Sequence, residues 1–429
     1  MYQHKLNSLS VWDERLVLTN LGFLVFFVFF GTSLPFQERT REVWQEESSN
    51  IVNQIVYTFL FLSSLPLLLT HYKALISFVI KEKFLTIFIF ISLASAIWSD
   101  YSSISIKRSF MFFVVYLVIL NAFVFAGFKK ILKTLKIVFS IYLMVTFLTC
   151  FTIPAAIDPK FGTWRGIELQ KNGLGQVGTF FLLFSLLFHD KKANRNSKIF
   201  NYLFSLLSVI LIFMSGSSTA ATAFLLVLFS FGILKFENLF RPLKFGRFIS
   251  ASAFTFAIAS LIIVIIFGDQ LLKLFPELFG KDLTFTGRTA IWEYVWSEIQ
   301  KRPILGYGFG TYWIMGSSRL DVFKINQSHN SYLEIMLQLG FIGITILLFI
   351  VISFLYRAIK INDNKSLIAC IAILTISFSE GILLQGRNEA TFTFLFFYVL
   401  VSVSFFNANS YTQNEVESIP RNNRYSKNK

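Results

Sequence analysis

His329 and Asn330 stand directly before a long apolar run that begins at Ser331, in the stretch QSHNSYLEIMLQLG. The chain has only four histidines. An accessible imidazole can take a proton from a hydroxyl group at neutral pH. His329 is therefore a candidate general base, and the alternative is a histidine that merely packs at the start of a helix.

Ser331 and Glu334 have the spacing of a capping box, in which each side chain accepts a hydrogen bond from a backbone amide group in the first turn of a helix. This pattern predicts that Glu334 caps the helix rather than acting as a catalytic acid. Because Asn330 and Glu334 follow His329 closely in the sequence, we keep these two as candidate substrate-binding residues.

A second polar element precedes His329, in the stretch TGRTAIWEYVWSEIQKRPILGYGFGTYW of residues 286–313. Its apolar residues recur at helical spacing: Ile291, Trp292, Val295, Trp296 and Ile299. Thr286 is suited to cap the helix, and Pro303 lies just past its end. The pattern predicts a short amphipathic helix on the membrane–water interface, with the two tryptophans as anchors.

Arg288 lies in the first turn of this predicted helix. A guanidinium group and a helix N-terminus both favour phosphate, so Arg288 is a candidate catalytic residue that binds an anion. A solvated arginine is the alternative. The glycines of 306–310 are interpreted as a turn, because no strand precedes them as in a phosphate-binding loop.

Two further polar segments complete the set of candidate residues. The stretch GTWRGIELQKNGLGQ, 162–176, offers the basic residues Arg165 and Lys171, and Asn172 meets the start of the next apolar segment; we keep Lys171 and Asn172 as candidate substrate-binding residues. The stretch EGILLQGRNEA holds Glu380 and Arg387, of which Arg387 is also a candidate for substrate binding.

These polar segments separate apolar ones, and 55% of the 429 residues are hydrophobic while only 15% are charged. This composition predicts an all-α integral membrane protein. Twelve segments have the length and apolar character of transmembrane helices: 16–35, 51–70, 84–98, 110–127, 134–153, 173–189, 199–214, 218–234, 249–268, 331–356, 366–384 and 390–406.

Lysine and arginine indicate the orientation, since they concentrate in cytoplasmic loops. With the N-terminus inside, 24 of the 39 basic residues face the cytoplasm, and seven of the other 15 lie in the loop 269–330. The sequence thus predicts nine spans in 1–268, a structured outer loop 269–330 and three spans in 331–406. A disordered cytoplasmic tail is expected in 407–429, and the net charge of +15 is explained by the membrane rather than by nucleic acid.

Several classes of function lack their usual residues in this sequence. The middles of the spans carry almost no charge, which weakens the case for an ion-coupled transporter. No Cys/His cluster suggests a metal site, and the two cysteines lie in apolar runs that disfavour a disulfide framework. We therefore expect neither a metal nor a cofactor.

The motifs GRTAIWEYVWSEIQKRPILGYGFG and SHNSYLEIMLQLGFIG resemble the O-antigen ligase and polysaccharide polymerase superfamily of bacteria. The similarity extends to WSDYSSISIKRS, RGIELQKNGLGQ and SGSSTAA, and so covers most of the chain from Trp98 to Gly343. The resemblance implies a fold like that of the GT-C glycosyltransferases, placed in the inner membrane with its active site on the periplasmic face. It also implies that Arg165 and Arg288 hold a diphosphate and that His329 acts on an acceptor hydroxyl.

The resemblance implies glycan transfer from undecaprenyl diphosphate, without a metal. We expect first a polymerase of exopolysaccharide or O-antigen repeat units, working among other polysaccharide-assembly proteins. A ligase that acts on the lipid A core, or an oligosaccharyltransferase that acts on a protein hydroxyl, is the alternative. A glycan flippase or a non-catalytic assembly protein is expected less, because neither needs an outer-face base.

The charge distribution makes a testable prediction about topology. Reporter fusions should place 154–172 and 269–330 outside the cytoplasm and both termini inside it, because the basic residues are retained on the cytoplasmic side. A cysteine introduced by Ser317→Cys should react with a membrane-impermeant thiol reagent added to the outer face. Its labelling from the cytoplasmic side would reject the orientation.

Overall fold

The computed structural model describes residues 11–31, 51–159, 161–189, 192, 194–240, 288–314, 327–386 and 388–418. Within these residues the chain forms thirteen α-helices. Their bounds are α1 Val11–Phe30, α2 Ile51–Thr70, α3 Tyr72–Lys81, α4 Lys83–Ala94, α5 Ser102–Phe125, α6 Phe128–Thr152, α7 Lys171–Phe188, α8 Arg195–Met214, α9 Ser218–Phe240, α10 Arg288–Lys301, α11 Ser331–Lys360, α12 Asn364–Ser379 and α13 Glu389–Ser418. Two 3₁₀ turns lie at Ser95–Ile97 and Pro154–Ala156.

The described part of the chain is an all-α membrane protein. Six of its helices are long and apolar enough to cross a bilayer, and its one β-bridge joins Ile157 to Trp164. The all-α fold is confirmed, and every predicted span but one coincides with a helix. The remaining predicted span, 249–268, lies outside the described residues, so the count of twelve stays a prediction.

Three helix boundaries differ from the sequence-based prediction. α1 runs from Val11 to Phe30, earlier than the predicted 16–35. α12 ends at Ser379 because Asn388 and Thr391 bind the backbone of the turn that follows. α13 continues to Ser418 and so includes 407–418 of the predicted tail, while the prediction that 407–429 is disordered stays a prediction.

Phenylalanine fills much of the space between the helices, which accounts for the 54 phenylalanines in the sequence. Phe139 of α6 and Phe181 of α7 have ring centroids 4.5 Å apart, and Phe29 of α1 lies 4.9 Å from Phe139. Lipid competes for apolar surface, so helices in a membrane associate through close packing rather than through the hydrophobic effect. The interlocked rings supply that packing.

A buried polar cluster joins three helices at the end of the bundle opposite to His329. The carboxylate of Glu82, just before α4, accepts from Arg357 of α11 and from the hydroxyl group of Tyr398 of α13. Arg357 also donates to Ser402, at 2.8 Å. Because both charges are paired and hydrogen-bonded, the cluster can exist at the end of apolar helices.

Gly340 interrupts α11 and lets another segment pair with its backbone. Its φ of 64° and ψ of −161° release two carbonyl groups, which accept from Tyr307 (3.0 Å) and Gly308 (2.9 Å). The amide group of Phe341 donates to the Pro303 carbonyl at 2.8 Å. The segment 303–308 therefore lies along the break in α11, and the glycines of 306–310 form a docked turn as predicted.

Gly340→Ala should destabilise the fold, because an added Cβ would lie 2.1 Å from the carbonyl oxygen of Ile304. The left-handed backbone alone costs a non-glycine residue about 1–3 kcal/mol. We expect a lower melting temperature in detergent than for Gly232→Ala, whose Cβ would meet nothing within 4 Å. Equal melting temperatures for the two variants would contradict the described break.

Candidate active site

The backbone around His329 is fixed by the start of α11. Asn330 is the N-cap residue, and its Oδ1 accepts from the amide groups of Tyr332 (2.9 Å) and Leu333 (3.1 Å). His329 itself has a φ of 51°, a left-handed conformation that is uncommon outside glycine. Such strain persists only where surrounding contacts hold it, and it concentrates at functional sites.

The predicted capping box is wrong, because Asn330 rather than Ser331 caps α11. The hydroxyl group of Ser331 instead donates to the carbonyl of Glu380 at 2.6 Å and accepts from the amide groups of Ile382 and Leu383. Ser331 thus fastens the turn after α12 to the start of α11. Asn330 is buried and used as a cap, and its predicted role in substrate binding stays untested.

Glu334 is buried. It binds residues that precede and follow the segment 315–326, which lies outside the described residues. Its carboxylate accepts from Trp313 Nε1 at 2.9 Å, from the amide group of Ser328 at 2.9 Å and from Gln338 Nε2 at 3.0 Å. These contacts give Glu334 a structural role in holding the His329 segment. Its predicted contact with substrate is not tested by this geometry.

A buried carboxylate lies behind His329. Glu380 Oε2 is 3.4 Å from His329 Nδ1, and Asn172 Nδ2 donates to Glu380 Oε1 at 3.3 Å. The side chain of Glu380 is 1% exposed and that of His329 is 23% exposed. The contacts of Glu380 with Asn172 and with His329 thus link the start of α7, the end of α12 and the start of α11.

The contact with Glu380 determines which nitrogen of His329 can act as a base. A proton on Nδ1 can be donated to the carboxylate, which leaves Nε2 as the acceptor. Gln327 Nε2 also lies 3.4 Å from Nδ1 and would require the opposite tautomer. When the ring is doubly protonated, Nδ1 can donate to the carboxylate of Glu380 but not to the amide nitrogen of Gln327. Both contacts are long for hydrogen bonds, as is common in sites without substrate.

Sequence reasoning did not assign Glu380 to the site, although it placed this residue in the same outer turn as Arg387. The available signal was a carboxylate directly after the apolar run of α12 and before Gly381. The pairing with His329 could not be read from the sequence, because the two residues are 51 positions apart.

Arg165 lies on the loop between α6 and α7, and its side chain is bound by carbonyl groups of the same loop. Nε donates to the Ala155 carbonyl at 2.6 Å, and one terminal nitrogen reaches the Leu169 carbonyl at 3.5 Å. The other terminal nitrogen has no hydrogen-bond partner among the described residues. Lys171 begins α7, with its Nζ 3.8 Å from the ring centroid of Phe161. Arg165 and Lys171 are thus on the segment that leads directly to Asn172.

Helix α10 is present as predicted, but its tryptophans do not both face a membrane interface. Trp292 donates to the Ser328 carbonyl at 3.0 Å and packs edge-on against Phe378. Trp292 therefore contacts Ser328, the residue before His329, and does not serve as the predicted membrane anchor. Trp296 is exposed. Ile291, Val295 and Ile299 are buried in a small separate core with Leu337 of α11.

The structure tests the remaining candidate residues only in part. Arg288 is the first residue of α10, and its side chain lies outside the described part of the chain. Arg387 and the predicted N-cap Thr286 also lie outside the described residues. The structure therefore brings together His329, Asn330 and Asn172, and places Arg165 on the loop before α7 and Lys171 at the first residue of that helix.

Comparison with known proteins gives one family. The sequence model of the family described as O-antigen ligase matches residues 203–348. The exopolysaccharide production protein ExoQ of Rhizobium meliloti is 30% identical over 91 residues, which are 19% of this chain and 21% of that protein. The ComP-specific O-oligosaccharyltransferase of Acinetobacter baylyi is 26% identical over 344 residues, which are 73% of this chain and 58% of that protein.

The chain is thus similar to the O-antigen ligase family over residues 203–348 and to two relatives of related description. The resemblance seen in its motifs is therefore confirmed. The alignments span about a fifth and somewhat over half of the lengths of the two relatives, so activity and substrates do not follow from them directly.

The O-antigen ligase match includes α10 and His329 but not the two residues that support the histidine. Asn172 and Glu380 lie on either side of the matched range 203–348. Residues outside the match thus complete the environment of His329. The roles of Arg165, Arg288 and His329 that the family resemblance implies stay predictions.

Glu380→Gln should lower turnover by about 10–10³-fold, because it removes the charge that stabilises protonated His329 while keeping the shape of the side chain. The same change in a His329→Ala background should have little further effect, since the two residues act as a unit. Glu293→Gln, on the exposed face of α10, is the matched control. Additive losses in initial rate would show that Glu380 acts independently of His329.

Proposed function

We propose that this protein is a membrane glycosyltransferase that moves a glycan from undecaprenyl diphosphate to an acceptor hydroxyl group. The observation that carries the proposal is the partly exposed imidazole of His329 backed by the buried carboxylate of Glu380. This pair suits a general base whose protonated form must be stabilised. Similarity to the O-antigen ligase family supports glycan transfer as the reaction.

The reaction needs a base and a site for the departing anion. As the acceptor oxygen bonds to the anomeric carbon of the sugar, His329 Nε2 takes the hydroxyl proton. The bond from that carbon to the diphosphate oxygen breaks, and undecaprenyl diphosphate leaves with the electron pair. Arg165 and Arg288 would hold the diphosphate through hydrogen bonds to its oxygens. Independence from metal stays a prediction.

For the acceptor, we propose first another lipid-linked glycan, which makes the protein a polymerase of exopolysaccharide or O-antigen units. The similarity to an exopolysaccharide production protein supports this choice. The second candidate is transfer to a protein hydroxyl or to a lipid A core, favoured by the longer alignment with an O-oligosaccharyltransferase. In either case we propose a bacterial inner-membrane protein with its His329 end on the periplasmic face and both termini in the cytoplasm.

His329→Ala should lower turnover by about 10²–10⁴-fold, the range expected for one general base. Binding of the lipid-linked donor should persist, because Arg165 and Arg288 remain. His329→Gln should recover little activity, since an amide cannot take the proton. If His329 only packs, the glutamine variant should instead be nearly as active as the wild type, and the alanine variant should melt at a lower temperature.

The measurement uses purified protein in liposomes with the lipid-linked glycan extracted from cells that lack the protein. Initial rates and melting temperatures are taken on the same preparations. A ladder of lengthened lipid-linked glycan identifies a polymerase, and glycan attached to added lipid A core or protein identifies a ligase. Movement of donor across the bilayer without any new glycosidic bond would contradict the proposed function and favour a flippase.

A further inference from the structure

A second carboxyl group, that of Glu168, lies on the loop between α6 and α7. Its Oε1 accepts a hydrogen bond from the hydroxyl group of Tyr142 at 2.5 Å. Tyr142 is fully buried and lies ten residues before the end of α6 at Thr152, a distance of about 15 Å along the helix. The loop therefore folds back along α6 into the bundle instead of passing over its end.

Close packing at two glycines supports this placement. A Cβ added to Gly166 would lie 2.7 Å from Thr146 Cγ2 of α6, so the loop backbone is in direct contact with the helix. A Cβ added to Gly173 would lie 3.2 Å from Glu168 Oε2. The absence of side chains at these positions leaves room for the carboxyl group between α6 and the first turn of α7.

One oxygen of Glu168 is held and the other is available. Oε1 is engaged by Tyr142, whereas Oε2 has no hydrogen-bond partner among the described residues. The residue is partly exposed although it lies well below the end of α6. Polar groups at such depth in a membrane protein face a polar cavity or bind a polar partner, because contact with lipid is too costly.

The place of Glu168 in the loop indicates the partner. The backbone amide group of Glu168 donates to the backbone carbonyl of Arg165 at 3.0 Å, so one turn of the loop carries both residues. Arg165 is the residue that we propose holds the diphosphate of the donor. The sugar attached to that diphosphate is the nearest part of the glycan.

We propose that Glu168 binds the glycan of the donor, and that its Oε2 forms a hydrogen bond with a hydroxyl or amide group of the sugar next to the diphosphate. This inference rests on the proposed function. The residue determines which glycan is held, through a contact that bare undecaprenyl diphosphate cannot make. It is a substrate-binding residue and takes no part in proton transfer from the acceptor.

The charge state of Glu168 makes the contact sensitive to pH. Burial raises the pKa of this carboxyl group to about 7, although the hydrogen bond from Tyr142 lowers it. Arg165 lies on the same loop, Lys171 begins α7, and Glu389 of α13 acts electrostatically on Tyr142. Below pH 7 the protonated carboxyl can donate to the sugar. Above pH 7 the carboxylate can only accept, and it repels the nearby diphosphate.

The test compares the binding of two lipids to purified protein in nanodiscs. One probe is undecaprenyl diphosphate, and the other is the same lipid bearing the glycan extracted from cells that lack the protein. At about pH 6, Glu168→Ala should weaken binding of the glycan-bearing lipid by about 2–10-fold, the range for one hydrogen bond. Its affinity for the bare lipid should stay within about twofold of the wild type.

A second comparison uses Glu168→Gln, which keeps the shape and the hydrogen bond from Tyr142 but cannot ionise. Wild-type affinity for the glycan-bearing lipid should fall between about pH 6 and pH 8.5, and that of Glu168→Gln should stay constant. Glu293→Gln, an exposed carboxylate on α10, should follow the wild type. Equal losses for both lipids in Glu168→Ala, or the same pH dependence in Glu168→Gln as in the wild type, would overturn the inference.

The transfer assay separates this inference from the function on which it rests. Wild-type protein that binds the glycan-bearing lipid but forms no glycosidic bond would contradict glycan transfer alone. Active protein whose binding of that lipid is unchanged by Glu168→Ala would contradict the role of Glu168 alone.

Discussion

Backbone amide and carbonyl groups inside a membrane protein must be paired within the protein, because lipid offers no hydrogen bonds. This constraint governs the end of the bundle that carries His329, where three non-helical segments enter between the helices. The segment 303–308 pairs with α11 at the Gly340 break, and the loop before α7 uses the carbonyl groups of Ala156 and Met214. The turn after α12 binds the hydroxyl group of Ser331.

The same pairing positions the candidate catalytic residues. The sequence pattern predicts Ser331 as the cap of α11, but the hydroxyl group of Ser331 instead donates to the Glu380 carbonyl in the turn after α12. Asn330 takes over the cap, and His329 adopts a left-handed backbone directly before it. The carboxylate and the imidazole are thus brought together by backbone contacts rather than by the strength of their own interaction, which is long at 3.4 Å.

The buried carboxyl groups at the two ends of the bundle have different partners. Opposite to His329, Glu82 and Arg357 neutralise each other within a cluster that also includes Tyr398. At the His329 end, the carboxylate of Glu380 contacts His329 and Asn172, and that of Glu168 accepts from Tyr142. The imidazole beside Glu380 can gain or lose a proton, whereas the arginine beside Glu82 is permanently charged. This contrast distinguishes the structural cluster from the candidate site.

Much of the helical fold could be predicted from the sequence, because a span needs about 20 apolar residues and such segments are evident without tertiary information. Helix α10 was likewise evident from its periodicity, and His329 from its place before α11. The tertiary structure alone decided that Asn330 rather than Ser331 caps that helix, since the choice depends on where the turn of Glu380 lies. It also decided that Glu380 stands behind His329 and that Glu168 folds back to Tyr142. Those pairs join residues distant in sequence, and their contact depends on how the helices pack, which no local pattern encodes.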